Sequence, residues 1–533
     1  MSSTPSTAGF VDGTVAHEPA TCERGEAEGR VREGEGAMTS NGRRAIGAVL
    51  ALVMLVAVAG AAAQEGSPPP ASSGGALAGH LARRMTAASD SSEHFALYVP
   101  SSLDPSRDVP VLFVMDPRGR ALHALKLFTE PAEALGWIVL SSYETVSDST
   151  LEPNERAVGA MLEEAQRLFP VDTARLYFAG FSGTARLAWL FALELQGHAA
   201  GILGFAAGFP NALPPETFAP LRGGSFSFFG GAGVRGFNYE EVRELEPELE
   251  ALGIPARIVD YPGGHAWAPR EVAARGMAWL ELRAIRAGLA PEDSVLVDSL
   301  LEVERREAHA LDDAGDGTAA LRAYRDLVED FSGVRDVEAD RERASHLIRS
   351  PEVRRRKARE EALRKEGLEY RRRLARVLAE AAREEPALSP DDLARRLDVD
   401  DLLRRTEGGD SLDAAAARRM LAAVEVQARY YVPKASLAAG RPDRALALLA
   451  VAARIAPEDP GVCLWRARAL AAEGRDDEAF AAIRCALGDG LPSRLLSSDP
   501  YLAALRSDPR WAVLVGTATP DDSSGGRRRR GGA

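Results

Sequence analysis

Short apolar runs alternate with helical stretches over residues 94–290, and this alternation constrains the fold of the 533-residue chain more than any other feature. Runs rich in β-branched and aromatic residues predict seven strands, and helices between strands are typical of a parallel sheet covered on its faces. The predicted strands are 95–99, 111–115, 137–141, 176–180, 201–207, 225–230 and 256–261. The sequence therefore predicts an α/β domain over 94–290.

The composition changes after about residue 289, where strand patterns stop and Ala, Leu, Arg and Glu dominate. These residues favour helix, so the second half is predicted to be all-helical. Within the helical region 291–425, residues 351–385 are dense in Arg, Lys and Glu and predict a long solvated helix or linker. Nucleic-acid binding is the minor alternative there, because Glu is interleaved throughout and the net charge of the chain is −13.

A repeat follows over residues 426–515. The hexapeptide GRPDRA at 440–445 recurs as GRDDEA at 474–479, an offset of 34 residues, and Leu449 and Ala452 return as Ile483 and Ala486. This pattern resembles the tetratricopeptide repeat, whose helix pairs offer a groove to a protein partner. Two clear repeats leave an equal alternative, a helical hairpin packed on its neighbours with Cys463 and Cys485 as buried small residues.

The N-terminal region predicts export. Two arginines precede an apolar run over 45–63 that ends in three alanines, which is the pattern of a secretory signal peptide. Translation from Met38 would place this pattern at the chain start, making 1–37 a disordered extension, 38–63 the signal and 64–93 a linker. An uncleaved membrane anchor is the alternative. In both cases the protein is expected in the periplasm or outside the cell, with a disordered basic tail over 516–533.

A serine at a strand-to-helix turn is the candidate nucleophile. The predicted strand 176–180 leads into GFSGTAR at 180–186, where small residues flank Ser182. A sharp turn of this kind projects a serine hydroxyl above the sheet, although the usual pattern has Gly where Thr184 stands. A plain Gly-rich turn is the alternative interpretation.

An activated serine needs a base, which is expected on a loop after the last strand. His265 lies in GGHAW at 263–267, directly after the predicted strand 256–261. A surface or packing histidine is the alternative. His265 is therefore the candidate general base.

With the segment DPRGR at 116–120, these motifs make residues 94–290 resemble the α/β-hydrolase superfamily, in particular its dienelactone-hydrolase-like and poly(3-hydroxybutyrate)-depolymerase-like esterases. The resemblance implies an α/β-hydrolase-type, mostly parallel sheet. It also implies an oxyanion hole formed by the backbone N–H of Gly183 and a second one from the loop 116–119, where Asp116 or Arg118 would donate because Pro117 cannot.

The resemblance also implies an acid after the penultimate strand, and Gly236 stands where Asp is expected. The nearby Glu240 and Asp260 are the remaining candidates. Asn238 is interpreted as a helix N-cap with Glu241 completing a capping box, which would give the nearby glutamates a structural role instead of a catalytic one. A triad without its acid can lose roughly four orders of magnitude in turnover, so loss of catalytic activity stays an open alternative.

Two functions are therefore expected to compete. The first is an exported serine esterase acting on a small ester or acyl substrate, with a protein partner at the repeats. The second is a degenerate hydrolase-fold scaffold that works through its repeats. Neither a cofactor nor a metal site is predicted, since the three Cys and eight His show no ligand spacing. Membrane contact is expected only if the signal segment stays uncleaved.

Overall fold

The computed structural model describes residues 73–515 except 148, 211, 212, 224 and 410. The predicted extension 1–37, the signal segment 38–63, residues 64–72 of the linker and the tail 516–533 lie outside the described residues. The strands are β1 (Leu81–Thr86), β2 (His94–Tyr98), β3 (Val109–Met115), β4 (Ile138–Ser142), β5 (Val171–Phe181), β6 (Ala199–Phe205), β7 (Ser227–Gly233) and β8 (Ala256–Tyr261).

All eight strands form one sheet in the order β1-β2-β4-β3-β5-β6-β7-β8. The pairs β1–β2 and β2–β4 are antiparallel, and the other pairs are parallel. The carboxyl ends of β3, β5, β6, β7 and β8 therefore meet at one edge of the sheet. All seven predicted strands are present.

The strand β1 lies inside the segment predicted as a linker. Its sequence LARRMT alternates poorly between apolar and polar residues, and Arg83 and Arg84 are exposed. An edge strand has only one paired side, and charged residues there discourage pairing with another molecule. The linker prediction was wrong for residues 81–86 because an edge strand needs little apolar pattern.

Helices cover both faces of the sheet. They are α1 (Ala121–Leu125), α2 (Thr129–Leu135), α3 (Glu152–Leu168), α4 (Gly183–Glu194), α5 (Tyr239–Leu252) and α6 (Arg270–Arg286). In β3, Val111 and Phe113 belong to the apolar core on one face, while Leu112 and Val114 belong to the core on the other. Burial on both faces explains why the parallel strands are continuously apolar.

The second half is helical throughout its described residues. Its helices are α7 (Ser294–Asp313), α8 (Gly317–Phe331), α9 (Glu338–Leu347), α10 (Pro351–Ala381), α11 (Pro390–Arg396), α12 (Val399–Thr406), α13 (Leu412–Val426), α14 (Val432–Ala438), α15 (Pro442–Ile455), α16 (Pro460–Ala472), α17 (Asp476–Gly488), α18 (Arg494–Ser497) and α19 (Pro509–Val515), with 3₁₀ turns at Ser73–Leu77, Pro215–Leu221 and Pro500–Ser507 and a π turn at Gln427–Tyr431. No described helix has the length and apolar content needed to cross a membrane.

The charged segment predicted as a helix or linker is the 31-residue helix α10. Its thin apolar stripe is buried rather than solvated, since Leu363, Tyr370, Leu374 and Val377 belong to the main core of the helical region. The stripe therefore anchors the helix, and the charged side chains occupy its remaining surface.

A disulfide joins Cys463 on α16 to Cys485 on α17. The sequence interpretation treated both as buried small residues, which is right for Cys463 and wrong for Cys485, whose side chain is exposed, and it did not include the bond between the two sulfurs. The bond spans 22 residues within the repeat and ties its helices together.

The sheet and the helical region belong to one compact unit. Arg257 on β8 is 3% exposed and donates to Asp330 at 2.5 Å and to the carbonyl of Asp326 at 2.9 Å, both on α8. Trp279 on α6 also donates to Asp330, at 2.8 Å. A buried arginine between carboxylates is stable only while both sides of the contact are present.

Candidate active site

Ser182 lies between β5 and α4 in a strained conformation, with φ 57° and ψ −127°. A positive φ is unfavourable for a residue with a side chain and is often found where a functional group must be aimed. Gly180 permits this turn, because a Cβ there would lie 2.4 Å from the carbonyl oxygen of Thr184. The strand and helix therefore meet so closely that the Ser182 side chain projects from the carboxyl edge of the sheet.

Thr184 occupies the position where the sequence pattern usually has Gly. Its hydroxyl is fully buried, donates to the Met115 carbonyl at 2.6 Å and accepts from the Phe181 N–H at 3.1 Å. The side chain thus joins the ends of β3 and β5 beneath the turn. The altered motif keeps the sharp turn because threonine supplies these hydrogen bonds.

The structure brings Ser182 and His265 together. The loop after β8 places His265 Nε2 2.9 Å from Ser182 Oγ. On the other side of the ring, His265 Nδ1 lies 3.2 Å from Asn238 Oδ1. Ser182 and His265 are each half-buried, so the pair is partly open to solvent.

Asn238 determines which ring nitrogen of His265 can accept a proton. Its Nδ2 donates to the carbonyl of Ala206, so its Oδ1 must face His265 and accept from Nδ1–H. With the proton on Nδ1, Nε2 carries the lone pair and accepts the Ser182 hydroxyl. The amide therefore selects the tautomer in which His265 can act as a base.

His265 is neutral at pH 7. Burial is the largest cause that lowers its pKa, to about 4, and the positive charges of Arg186 and Arg118 add to this effect while Glu241 opposes it. The ring lies between Phe181 and Phe237, at centroid distances of 4.7 and 4.3 Å. These aromatic neighbours supply the apolar surroundings that disfavour the imidazolium.

The two candidate acids lie elsewhere. Asp260 accepts from the Tyr239 hydroxyl at 3.0 Å and from Arg322 at 3.4 Å. Glu240 pairs with Arg419 at 2.6 Å. The described hydrogen bonds of His265 go to Ser182 and Asn238 instead, because the loop after β7 aims Asn238 at the ring and β8 holds Asp260 against α5 and α8.

The predicted capping box at the start of α5 is also wrong. Asn238 occupies the N-cap position without a side-chain capping bond, since its amide is used by His265 and Ala206. Glu241 accepts from the Gly208 N–H at 2.8 Å and pairs with arginines. Asn238 makes tertiary hydrogen bonds to His265 and Ala206 in place of the local capping bond that the sequence pattern indicated.

The oxyanion candidates differ in their surroundings. Gly183 begins α4 directly after Ser182, and a Cβ there would meet Ser147 Cβ at 2.6 Å. The backbone N–H of Arg118 already donates to Asp116 Oδ1 at 2.9 Å. Arg118 is therefore not a free backbone donor, whereas Gly183 keeps the place expected of one.

Asp116 supports the histidine loop from the end of β3. It is fully buried and accepts from Trp267 Nε1 at 2.8 Å and from Arg120 at 2.9 Å. Burial raises its pKa, but these hydrogen bonds outweigh burial and hold the pKa below its ordinary value. Because Trp267 follows His265 by two residues, the ionised carboxylate fixes the base relative to the sheet.

Charged side chains lie near Ser182 and His265. Glu241 on α5 pairs with Arg186 on α4 and, at 2.9 Å, with Arg371 on α10. Burial raises the pKa of Glu241, but the two arginines outweigh it and keep the pKa below the ordinary value. The helical region thus reaches the rim of the site.

The first half of helix α5 is held against the helical region. Besides Glu241, Glu240 pairs with Arg419 on α13 and Glu244 pairs with Arg364 on α10. Phe237, whose ring contacts that of His265, also packs against the core of the helical region. The segment carrying Asn238 is therefore positioned by both halves of the chain.

A cavity of about 1790 Å³ lies between α5, β8 and helices α8, α10 and α13. Pro262 and Gly263, on the back of the histidine loop, are part of its lining, but Ser182 and His265 are not. Charged side chains of both signs make up about half of its lining residues. The hydroxyl–imidazole pair therefore marks the reactive site better than cavity size does.

Cys463, Cys485 and Asp489 are the group among the described residues whose ligand atoms lie within 4.8 Å of one another. The two sulfurs are bonded in the disulfide, and a metal requires thiolates. In this form the group does not suit a metal.

Asn238 is the functional residue that the sequence interpretation missed. It lies in the loop searched for an acid, two residues after Gly236, and its side chain is almost fully buried. A search limited to carboxylates excluded it. An asparagine in that loop was the available signal, since an amide oxygen can orient a histidine as in Cys-His-Asn proteases.

The tetratricopeptide repeat family model matches residues 436–484. No curated protein matches the chain. Similar solved structures include the Staphylococcus aureus fluorophosphonate-binding serine hydrolase F, at 13% identity and TM-score 0.31 over 35% of this chain and 92% of that one. Est1E from Butyrivibrio proteoclasticus has 13% identity and TM-score 0.30 over 36% and 95% of the two chains.

Thermogutta terrifontis esterase 2, in a form phosphonylated by sarin, has 12% identity and TM-score 0.30 over 43% of this chain and all of that one. These likenesses concern the fold alone. The predicted fold class, a mostly parallel sheet flanked by helices and followed by tetratricopeptide-like helices, is confirmed. The α/β-hydrolase superfamily and its esterase branch stay predictions.

Proposed function

We propose that this chain is an exported serine hydrolase that cleaves carboxylic esters and carries a tetratricopeptide-like region for a protein partner. The observation that carries the proposal is the 2.9 Å contact between Ser182 Oγ and His265 Nε2 at a strained strand-to-helix turn. A hydroxyl is a poor nucleophile alone and needs a base at this distance.

The reaction follows from the hydrogen bonds. Ser182 Oγ attacks the ester carbonyl while His265 Nε2 takes the hydroxyl proton, and the N–H of Gly183 stabilises the oxyanion. The imidazolium then protonates the leaving alcohol as the carbonyl re-forms, leaving an acyl group on Ser182. Water, deprotonated by His265, attacks this acyl group and releases the acid and free Ser182.

Asn238 can replace the usual acid in selecting the tautomer of His265 but not in stabilising the imidazolium. Replacing the acid by Asn in serine proteases costs about four orders of magnitude because the imidazole takes the wrong tautomer. Here the Ala206 carbonyl orients the amide so that the correct tautomer is held. The imidazolium that forms lacks a contacting negative charge, so we expect slower turnover than in enzymes with an acid.

Export is supported by the chemistry of the repeat. Disulfides persist in oxidising compartments and are rare in the cytosol. The Cys463–Cys485 bond therefore agrees with the signal-like segment 38–63, which would carry the chain to the periplasm or beyond.

The test is labelling with a fluorophosphonate probe, which reacts only with an activated serine. We expect labelling of the wild type and its loss in Ser182→Ala and His265→Ala. His123→Ala, which removes an exposed histidine on α1, is the matched control and should keep full labelling. Circular dichroism shows that each variant is folded.

The second candidate is a scaffold without activity, and the lack of a carboxylate on His265 among the described contacts favours it. A folded wild type that takes up no label would support the scaffold and contradict the hydrolase.

A further inference from the structure

The segment that carries Asn238 contacts the helical region on both sides of that residue. Phe237 precedes Asn238 and packs against the core of the helical region. Tyr239 and Glu240 follow Asn238, and both contact Arg419 on α13. The amide that orients the imidazole is therefore flanked on each side by a contact that the sheet does not supply.

Arg419 makes the contacts that follow Asn238. Its Nε donates to Glu240 Oε1 at 2.6 Å, and its guanidinium lies 4.5 Å from the centre of the Tyr239 ring. The side chains of Arg419 and Glu240 are only 12% and 5% exposed, so solvent ions screen their attraction weakly. Such a pair holds two helices together, because separating them leaves a buried charge without its partner.

Helix α10 encloses the same carboxylate. Gly367 is buried on α10, and a Cβ at this position would lie 3.1 Å from Glu240 Cγ and 3.2 Å from Glu240 Oε1. Glycine inside a helix lowers its stability, and here it allows the backbone of α10 to approach the carboxylate closely. Glu240 is therefore packed between α10 and α13, which leaves the first turn of α5 little room to move.

The position of this first turn sets two conditions at His265. Asn238 Oδ1 lies 3.2 Å from His265 Nδ1 and selects the tautomer. The Phe237 ring, with its centre 4.3 Å from that of the imidazole, shields the imidazole from water. A shift of about 1 Å would take the amide beyond hydrogen-bond reach, and a misplacement of that size can cost about a hundredfold in rate.

We propose that Arg419 is a positioning residue of the hydrolase: its contacts with α5 hold Asn238 where the amide orients His265. This inference rests on the proposed function and adds to it a control of the base from the helical region. Arg419 lies on α13, which continues through the π turn Gln427–Tyr431 into α14 of the repeat region. The base and the repeat are thus joined by one continuous run of helix.

The test compares the rate of fluorophosphonate labelling in four variants of the full chain. Arg419→Met removes the charge and keeps an apolar stem over Tyr239, whereas Arg419→Lys keeps the charge. The double variant Glu240→Gln/Arg419→Met has no unpaired carboxylate at this contact, so it separates lost positioning from lost stability. Arg359→Met is the matched control, because it removes an exposed ion pair with Asp413 between the same α10 and α13.

We expect the labelling rate constant at pH 7 to fall by about tenfold to a hundredfold in Arg419→Met and in the double variant. Arg419→Lys should recover most of the rate, because a positive charge again pairs with Glu240. Arg359→Met should keep the wild-type rate, since an exposed ion pair contributes little.

The pH dependence supplies a readout that a merely structural role would not move. Once Phe237 no longer covers the imidazole, the pKa of His265 rises from about 4 toward its ordinary value. The acidic fall of the labelling rate should then move upward by about one pH unit or more in both variants that carry Arg419→Met. Circular dichroism at each pH shows that they stay folded. The described charged groups that act on the ring are left in place: Arg186, Arg118 and Glu241.

The outcomes separate the two proposals. An acidic fall that stays at the wild-type pH in Arg419→Met, or a double variant that regains the wild-type rate, shows a merely structural contact. Either result overturns the positioning role and leaves the hydrolase intact, as does an equal loss of rate in Arg359→Met. A folded wild type that takes up no label overturns the proposed function and this inference with it.

Discussion

At the scale of single residues, the site depends on one amide that is held in a fixed orientation. The amide of Asn238 can point either way in principle, and only the Ala206 carbonyl decides that its oxygen faces His265. Ala206 itself has φ 55°, an uncommon conformation for a residue with a side chain. Backbone strain is thus found at two positions, Ser182 and Ala206, that aim the groups of the site.

The pH dependence of the reaction follows from the neutral histidine. Because only neutral His265 can take the serine proton, kcat/KM should fall on the acidic side with an apparent pKa near 4. In Asn238→Asp a carboxylate beside Nδ1 favours the imidazolium, so the fall should move upward by about one to three pH units.

The measurement is kcat/KM from pH 3.5 to 8, after a check that each protein regains full activity when returned to neutral pH. An acidic limb at the same pH in wild type and Asn238→Asp would contradict the assigned contact between Asn238 and His265.

The contact between Ser182 and His265 was predictable because each residue lies in a local pattern with a fixed position along the chain. Ser182 follows a buried strand between small residues, and His265 follows the last strand. The partner of His265 was not predictable in the same way, because its identity depends on where the loop after β7 turns. Glu240 and Asp260 have the carboxylate that the sequence pattern led us to expect, yet arginines of the helical region hold them away from His265.

At the scale of elements, the turn between β5 and α4 is held together by the Thr184 hydroxyl. Its partners are the Met115 carbonyl and the Phe181 N–H, two buried backbone groups at the ends of two strands. Burying such groups without a hydrogen bond is unfavourable. The turn is therefore stabilised from beneath by a side chain that does not face the substrate.

Replacing Thr184 by Val keeps the shape and removes the hydroxyl. We expect the free energy of unfolding to fall by about 1–3 kcal/mol, because the two backbone groups lose their partner. Urea unfolding followed by tryptophan fluorescence measures the change. Thr173→Val, at a half-buried position of β5, is the control and should stay within about 0.5 kcal/mol.

Equal stability of Thr184→Val and the control variant would show that the hydroxyl does not support the turn. The strands themselves were predictable from their apolar runs, whereas β1 was not, because an edge strand with exposed arginines resembles a loop in sequence.

At the scale of the whole molecule, the sheet and the helical region are joined through buried charge. Arg257 is enclosed by Asp326 and Asp330 of α8 and has almost no solvent contact. The sequence predicted the two regions and their order, but not this contact. Charged residues spaced far apart along the chain carry no sign of pairing before the fold is known.

Arg257→Ala leaves the buried Asp330 and the half-buried Asp326 without their nearest counter-charge, so the free energy of unfolding should fall by about 3–5 kcal/mol. The helical region should also become sensitive to limited proteolysis. Arg306→Ala removes a solvent-exposed ion pair with Glu302 and should cost at most about 0.5–1 kcal/mol. Similar stability of the two variants would contradict the buried role of Arg257.

The paired charges along α5 and at Arg257 also bear on how such a chain can be inherited. A recombination event that joined this sheet to an unrelated helical region would leave Arg257 and Glu240 without their ion-pair partners and would remove Arg371 from Glu241. It would also displace the loop that holds Asn238. The two halves are consequently expected to descend together as a single hereditary unit, even though each has its own core.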